Sequence, residues 1–140
     1  MYNGFYASYE TQLNNAFGEL KAGGITDFVL DLRYNSGGSI ATATRLASMI
    51  TGQFTGQVFA KQQWNDKVEA YYASNNPSSL LNLFTDKINT NASINSLNLT
   101  RIYILTSKST ASASELVING LKPYINVIQI GDSTTGKNVG

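Results

Sequence analysis

The chain has no histidine and no cysteine among its 140 residues. That double absence removes disulfides and the usual ligands of a zinc site. It also removes imidazole and thiolate chemistry, so a nucleophile in this protein has to be a hydroxyl, and its base cannot be histidine. Charge is scarce too: Asp, Glu, Lys and Arg make up 14% of the residues, and the formal net charge is +1. A balance so near neutral lacks the electrostatic footprint of a nucleic-acid or anionic-membrane partner. No run approaches the ~18 apolar residues of a membrane span. The opening Met1-Tyr2-Asn3-Gly4-Phe5-Tyr6 has neither the basic start nor the apolar stretch of a signal peptide.

What is present suffices for a core. With 42% hydrophobic residues, a chain of this length forms one domain and buries roughly two-thirds of its unfolded surface without a covalent or metal staple. Tyr9, Leu13, Ala16, Phe17 and Leu20 recur at helical spacing, and Gly23-Gly24 closes that segment. The stretch 25–33, apolar at Phe28, Val29 and Leu30, reads as a buried strand. A second helical stripe runs through Ile40, Ala43, Ala47 and Ile50 to Gly52. Strands are predicted over 57–62, 102–105 and 125–130, and a helix over 112–121. Pro77-Ser78-Ser79 predicts the cap of a helix carrying Leu80, Phe84 and Ile88, whereas 64–73 fits neither period and 89–100 reads as loop. Alternating strands and helices imply an α/β fold with a largely parallel sheet and helices on its faces. Residues 62–100 break the alternation and are expected to be an insertion. Trp64, Tyr71 and Tyr72 in it are expected to pack there rather than line a groove.

Three segments carry chemistry. Ser112 falls between a predicted strand and a predicted helix. Ser112-x-x-Glu115 is a capping box, whose two side chains satisfy orphan backbone N–H groups. The same position suits a nucleophile, because the free N–H groups and positive end of the helix dipole favour a developing oxyanion, with Ala113 N–H as the first donor. Gly136-Lys137 follows the next strand, 25 residues after Ser112. Parallel neighbouring strands put both following loops at one carboxyl edge, where open α/β sheets bind ligands. Lysine acts as a base only when neutral. Its ordinary pKa of about 10.4 then has to fall by roughly 3, about 4 kcal/mol that burial can supply. An exposed lysine in a polar loop is the competing reading. Gly37-Gly38, in the loop after the first strand, can expose backbone N–H groups as a second oxyanion donor or merely form a tight turn.

Taken together, Asp31-Leu32-Arg33-Tyr34-Asn35-Ser36-Gly37-Gly38, Thr110-Ala111-Ser112-Ala113-Ser114-Glu115 and Gly131-Asp132-Ser133-Thr134-Thr135-Gly136-Lys137 resemble the C-terminal processing, or tail-specific, proteases of serine peptidase family 41. The resemblance covers about 20–52 and 100–140. It implies a crotonase-like or Clp-protease-like layered α/β fold, Ser112 as nucleophile, Lys137 as general base, and backbone N–H groups of Ala113 and of Gly37 or Gly38 as the oxyanion hole. It further implies a polypeptide substrate, cleaved near its C-terminus, and neither cofactor nor metal. The ending Gly136-Lys137-Asn138-Val139-Gly140 is similar to envelope members from Bacteroidetes-type bacteria, which implies a periplasmic or envelope location. On this reading residues 1–140 are a single peptidase core domain from a longer protein. A third, lysine-orienting residue would lie beyond Gly140.

Two other readings compete. A non-catalytic relative could use the same fold to bind peptides or apolar ligands. Gly131-x4-Gly136-Lys137 also matches a P-loop, but Asn138 stands where Ser or Thr would hold magnesium. Asp31 and Arg33 are expected to brace loops rather than react.

Overall fold

The computed structural model describes residues 1–139. Helix α1 (Glu10–Ala22) stops at Gly23 and packs Phe17 edge-on against Phe28, ring centres 5.5 Å apart. Strand β1 (Val29–Asp31) leads through the Gly37-Gly38 loop into α2 (Ile40–Thr51). Ser39 caps α2 by accepting from Thr42 N–H at 3.3 Å, and Gly52 ends it in the left-handed region, φ 74°. Strand β2 (Val58–Lys61), α3 (Asp66–Asn75) and β3 (Leu81–Leu83) follow. The protein then runs through β4 (Arg101–Thr106), α4 (Ala113–Leu121) and β5 (Asn126–Gly131).

β1, β4 and β5 form one sheet in the order β1-β4-β5, parallel throughout, and β2 and β3 form a separate antiparallel pair. The α/β class with a parallel sheet is therefore as expected from the alternation. Side chains alternate across the sheet, as pleating requires. Leu30, Ile102 and Ile104 are buried on one face, in a core shared with Leu46, Met49 and Ile50 of α2 and Val117, Ile118 and Leu121 of α4. Val29 and Ile130, on the other face, are exposed.

A buried charge fastens α1 to this core. Glu10 is fully buried and accepts from Thr42 Oγ1 at 2.6 Å, Arg45 at 2.8 Å and Asn89 N–H at 3.0 Å. Asn14, one turn on, is bonded to Ser93 and Asn95. The asparagine-rich stretch predicted as loop is loop, and its polar groups satisfy the polar side of α1.

Three expectations need correction. The first strand is shorter than 25–33, since only Val29–Asp31 pair with β4. The helix expected after Pro77 does not form. Pro77–Leu80 makes a single 3-10 turn, and the backbone then extends into β3. Leu80, Phe84 and Ile88 are nevertheless all buried. Phe84 sits in an aromatic cluster with Phe54, Phe59 and Tyr124, at centroid distances of 5.8, 5.3 and 4.8 Å. Pairing with β2 and this long-range cluster override a four-residue spacing that local pattern reads as helix. Finally, Trp64 and Tyr71 are not buried: they are 51% and 62% exposed, and Tyr71 meets Tyr72 edge-on with ring centres 5.6 Å apart. The ambiguous segment around them is α3, capped by Asn65 accepting from Val68 N–H at 3.1 Å, and it buries no residue.

The contrast between Phe84 and Trp64 is measurable by urea unfolding. Phe84→Ala is expected to cost about 3–4 kcal/mol, in the range for truncating a buried phenylalanine. Trp64→Ala should stay within about 0.5 kcal/mol of the unsubstituted protein.

Candidate active site

The sheet register gathers the three sequence segments. Asp31 pairs with Leu105, and Thr106 with Gly131. The loops leaving β1, β4 and β5 therefore start side by side at the carboxyl edge. They carry Gly37-Gly38, Ser112 and Lys137 respectively.

Ser112 occupies a strained turn between β4 and α4. Its backbone angles are φ 57° and ψ −117°, a region L-residues with side chains seldom enter and which costs on the order of 1–3 kcal/mol. This is the strand-to-helix elbow that many hydrolases build with glycines on either side of the nucleophile. Here Ala111 and Ala113 flank it. The Ser-x-x-Glu box is present, and Glu115 Oε2 accepts from Ser112 N–H at 2.8 Å. The Ser112 side chain faces the Glu115 backbone N–H as the other half of that box, its hydroxyl donates no hydrogen bond among the described residues, and the residue is partly exposed. Ser114 differs: it is fully buried, and its hydroxyl donates to Asn35 C=O at 2.9 Å. Of the two serines in the triplet, Ser112 alone keeps its hydroxyl proton uncommitted and near solvent.

The glycine loop touches this turn directly. A Cβ on Gly37, at φ 111°, would lie 2.7 Å from Ser112 Cβ and 3.1 Å from Ala113 N. Only glycine lets the loop approach so closely. Gly37 N–H is already committed, donating to Asn35 Oδ1 at 2.9 Å. Among the described residues, the N–H groups of Gly38 and Ala113 have no partner. Ala113 is the first residue of α4, where a helix leaves its N–H groups unpaired.

Glu115 joins the serine turn to the lysine loop. Its carboxylate is 8% exposed and accepts four hydrogen bonds. Oε1 takes Thr134 Oγ1 and Gly136 N–H, both at 2.6 Å. Oε2 takes Ser112 N–H and Lys137 N–H, both at 2.8 Å. The backbone nitrogens of Ser112 and Lys137 thus lie no farther apart than twice 2.8 Å. Thr135 adds two ties, from its N–H to Thr110 C=O at 2.9 Å and from its hydroxyl to Lys108 C=O at 2.8 Å. Lys137 itself is exposed, so the described residues do not provide the burial a neutral lysine needs.

Burial acts to raise the Glu115 pKa, but the hydrogen bonds from Thr134, Gly136, Ser112 and Lys137 outweigh it and hold the carboxyl below its ordinary value. At the β1 end, the Arg33 guanidinium grips the Asp31 carboxylate through both oxygens, at 3.0 and 2.8 Å, and lowers its pKa to about 2. Arg33 C=O accepts from the Ser107 hydroxyl. This pair links the first and second loops and leaves both residues occupied.

Sequence reasoning gave Asn35 no role and treated Glu115 only as a local cap. Both stood inside the motifs. Their distant partners, 19 to 79 residues away, carry no local signal.

Because the folded state depresses the Glu115 pKa, its stabilisation is complete above the ordinary glutamate value of about 4.3. It is lost as pH falls through the lower folded value. Glu115→Gln removes two acceptor positions and should cost about 1–3 kcal/mol at pH 7. The gap between the two proteins in urea unfolding should narrow from pH 6 to pH 3. A constant gap would contradict the assignment.

Comparison with known proteins agrees with this geometry. Residues 1–140 match the family described as Peptidase family S41. An S41 protease structure from Bacteroides fragilis NCTC 9343 superimposes with a TM-score of 0.85 at 34% identity, covering 100% of this chain and 36% of that one. The photosystem II D1 C-terminal processing protease gives 0.65 at 25% identity, covering 96% of this chain and 30% of that one. A lipoprotein from Streptococcus agalactiae shares the fold, with a TM-score of 0.52 at 22% identity over 94% of this chain and 44% of that one. No curated protein matches. The chain spans about a third of the length of the first two structures. With its motifs at one sheet edge and the family pattern matched from end to end, the chain belongs to peptidase family S41.

Proposed function

We propose that this protein is the core of a serine endopeptidase working through a Ser112–Lys137 dyad. The observation that carries the reading is the shared Glu115 oxygen, which brings the backbones of the two residues together. In the first step Ser112 Oγ forms a bond to the scissile carbonyl carbon, and its proton passes to the neutral amine of Lys137. The carbonyl oxygen becomes an oxyanion, received by the unpaired N–H groups of Ala113 and Gly38. Each such donor contributes on the order of 10²–10³ in rate. The C–N bond then breaks, and the lysine proton goes to the departing amine. Water attacks the resulting ester by the same steps in reverse and frees Ser112.

A polypeptide lying across the carboxyl edge would cover the exposed Lys137, and desolvation favours the neutral form of a lysine amine. Fixing the dyad through backbone bonds rather than through the amine leaves the Lys137 side chain free to reach the hydroxyl. Cleavage near a substrate's C-terminus is the specificity we assign. It is supported by the likeness to a structure named as a C-terminal processing protease.

Ser112 labelling by a fluorophosphonate, read by intact mass, tests the proposal together with peptide hydrolysis. Ser112→Ala should abolish labelling. Lys137→Ala should slow it by about 10³-fold or more, the upper part of the range for general-base catalysis. Lys137→Arg should not restore it, because a guanidinium stays protonated. Labelling that persists in Ser112→Ala would move the nucleophile elsewhere. Peptide binding without turnover in the unsubstituted protein would favour the binding module.

A further inference from the structure

Asn35 is fully buried, and each of its polar groups is used. Its Oδ1 accepts from Gly37 N–H at 2.9 Å, and its Nδ2 donates to Tyr2 C=O at 3.0 Å. Only one orientation of the amide meets both partners, since one is a donor and the other an acceptor. The backbone carbonyl of Asn35 accepts from Ala111 N–H at 3.2 Å and from the Ser114 hydroxyl at 2.9 Å. One residue therefore joins the N-terminal segment, the glycine loop and the serine turn. The N-terminal segment adds its own grip: Phe5 N–H donates to Gly37 C=O at 3.0 Å, and Ser39 N–H donates to Phe5 C=O at 2.8 Å. A Cβ on Gly38 would lie 2.5 Å from Phe5 O. The peptide groups on either side of Gly38 are pinned, and Gly38 N–H is the one left unpaired.

We propose that Asn35, braced by the N-terminal segment through Tyr2, is a positioning residue of the peptidase centre. By drawing Gly37 N–H inward it makes Gly38 N–H the loop's oxyanion donor. The proposal rests on the Ser112–Lys137 reading. The glycine pair then has divided duties. Gly37 supplies the close approach to Ser112, and Gly38 supplies the N–H. The first five residues belong to the site, although none of them reaches the reacting atoms.

The test uses the full-length chain that carries residues 1–140, since the first two matched structures are about three times as long. Asn35→Ala should lower the rate of Ser112 acylation and kcat by about 10²-fold, the cost of misplacing one oxyanion donor, with KM changed less than about twofold. Tyr34→Ala, an exposed neighbour, should leave both unchanged. A parallel measurement does not require the variant to fold. In the unsubstituted protein, Gly37 N–H should be protected from hydrogen exchange and Gly38 N–H should not. Forming a peptide boronate adduct at Ser112 should then shift the NMR amide signals of Gly38 and Ala113 and spare that of Gly37. Unchanged kcat in folded Asn35→Ala, or a boronate shift at Gly37 rather than Gly38, overturns this proposal alone. An unsubstituted protein with no Ser112-dependent acylation overturns the peptidase reading and this proposal with it.

Discussion

Four hydrogen bonds converge on the Glu115 carboxylate. Three come from the loop after β5, two through backbone N–H groups and one through a threonine hydroxyl, and the fourth comes from the serine turn itself. A carboxylate has about four lone-pair positions, so each is filled. A buried carboxylate with one of them empty would be expensive. This is why the lysine loop closes onto α4 rather than trailing into solvent. Without that anchor, the exposed and polar stretch 131–137 has little apolar area to hold it against the core.

The strain at Ser112 is compensated from two sides. Glu115 fixes its N–H, and Gly37 packs against its Cβ, leaving no room for the turn to relax. Asn35 then ties the loop bearing Gly37 to Ala111 and Ser114, the residues on either side of the turn. A residue held in an unfavourable backbone region has to be over-determined by its surroundings. Here the surroundings are backbone hydrogen bonds and close contact, which are rigid. The proton of the hydroxyl that chemistry requires is the part left uncommitted.

The fold serves the site through register. Three parallel strands end together, and each contributes one loop, so Gly37 meets Ser112, 75 positions further on, and Glu115 brings the Lys137 backbone to that same turn. The helices α2 and α4 are packed on one face of the sheet by apolar side chains, and α4 begins where its unpaired N–H groups face the carboxyl edge. The buried Glu10 network holds α1 and the 84–95 stretch to α2. It acts on stability and lies outside the site.

Much of this is legible from residues alone. Strand–helix alternation gave the α/β class, because apolar periodicity reports which face of an element is buried. The absence of histidine and cysteine narrowed the chemistry to a hydroxyl, and the motif order placed Ser112, Lys137 and the glycine pair on three loops. Local pattern failed where distant partners decide. Leu80, Phe84 and Ile88 have helical spacing but follow a turn and a strand, because β2 and an aromatic cluster claim them. Trp64 and Tyr71 have the composition of packing residues but stay largely exposed. The order of amino acids settles which side chains are able to do chemistry, since that depends on their functional groups and nothing else. It does not settle which N–H groups stay free, which hydroxyl is spent on structure or how near the lysine loop comes to the serine. Those are fixed by hydrogen bonds across tens of residues, which form only in the completed fold and leave no trace local to either partner.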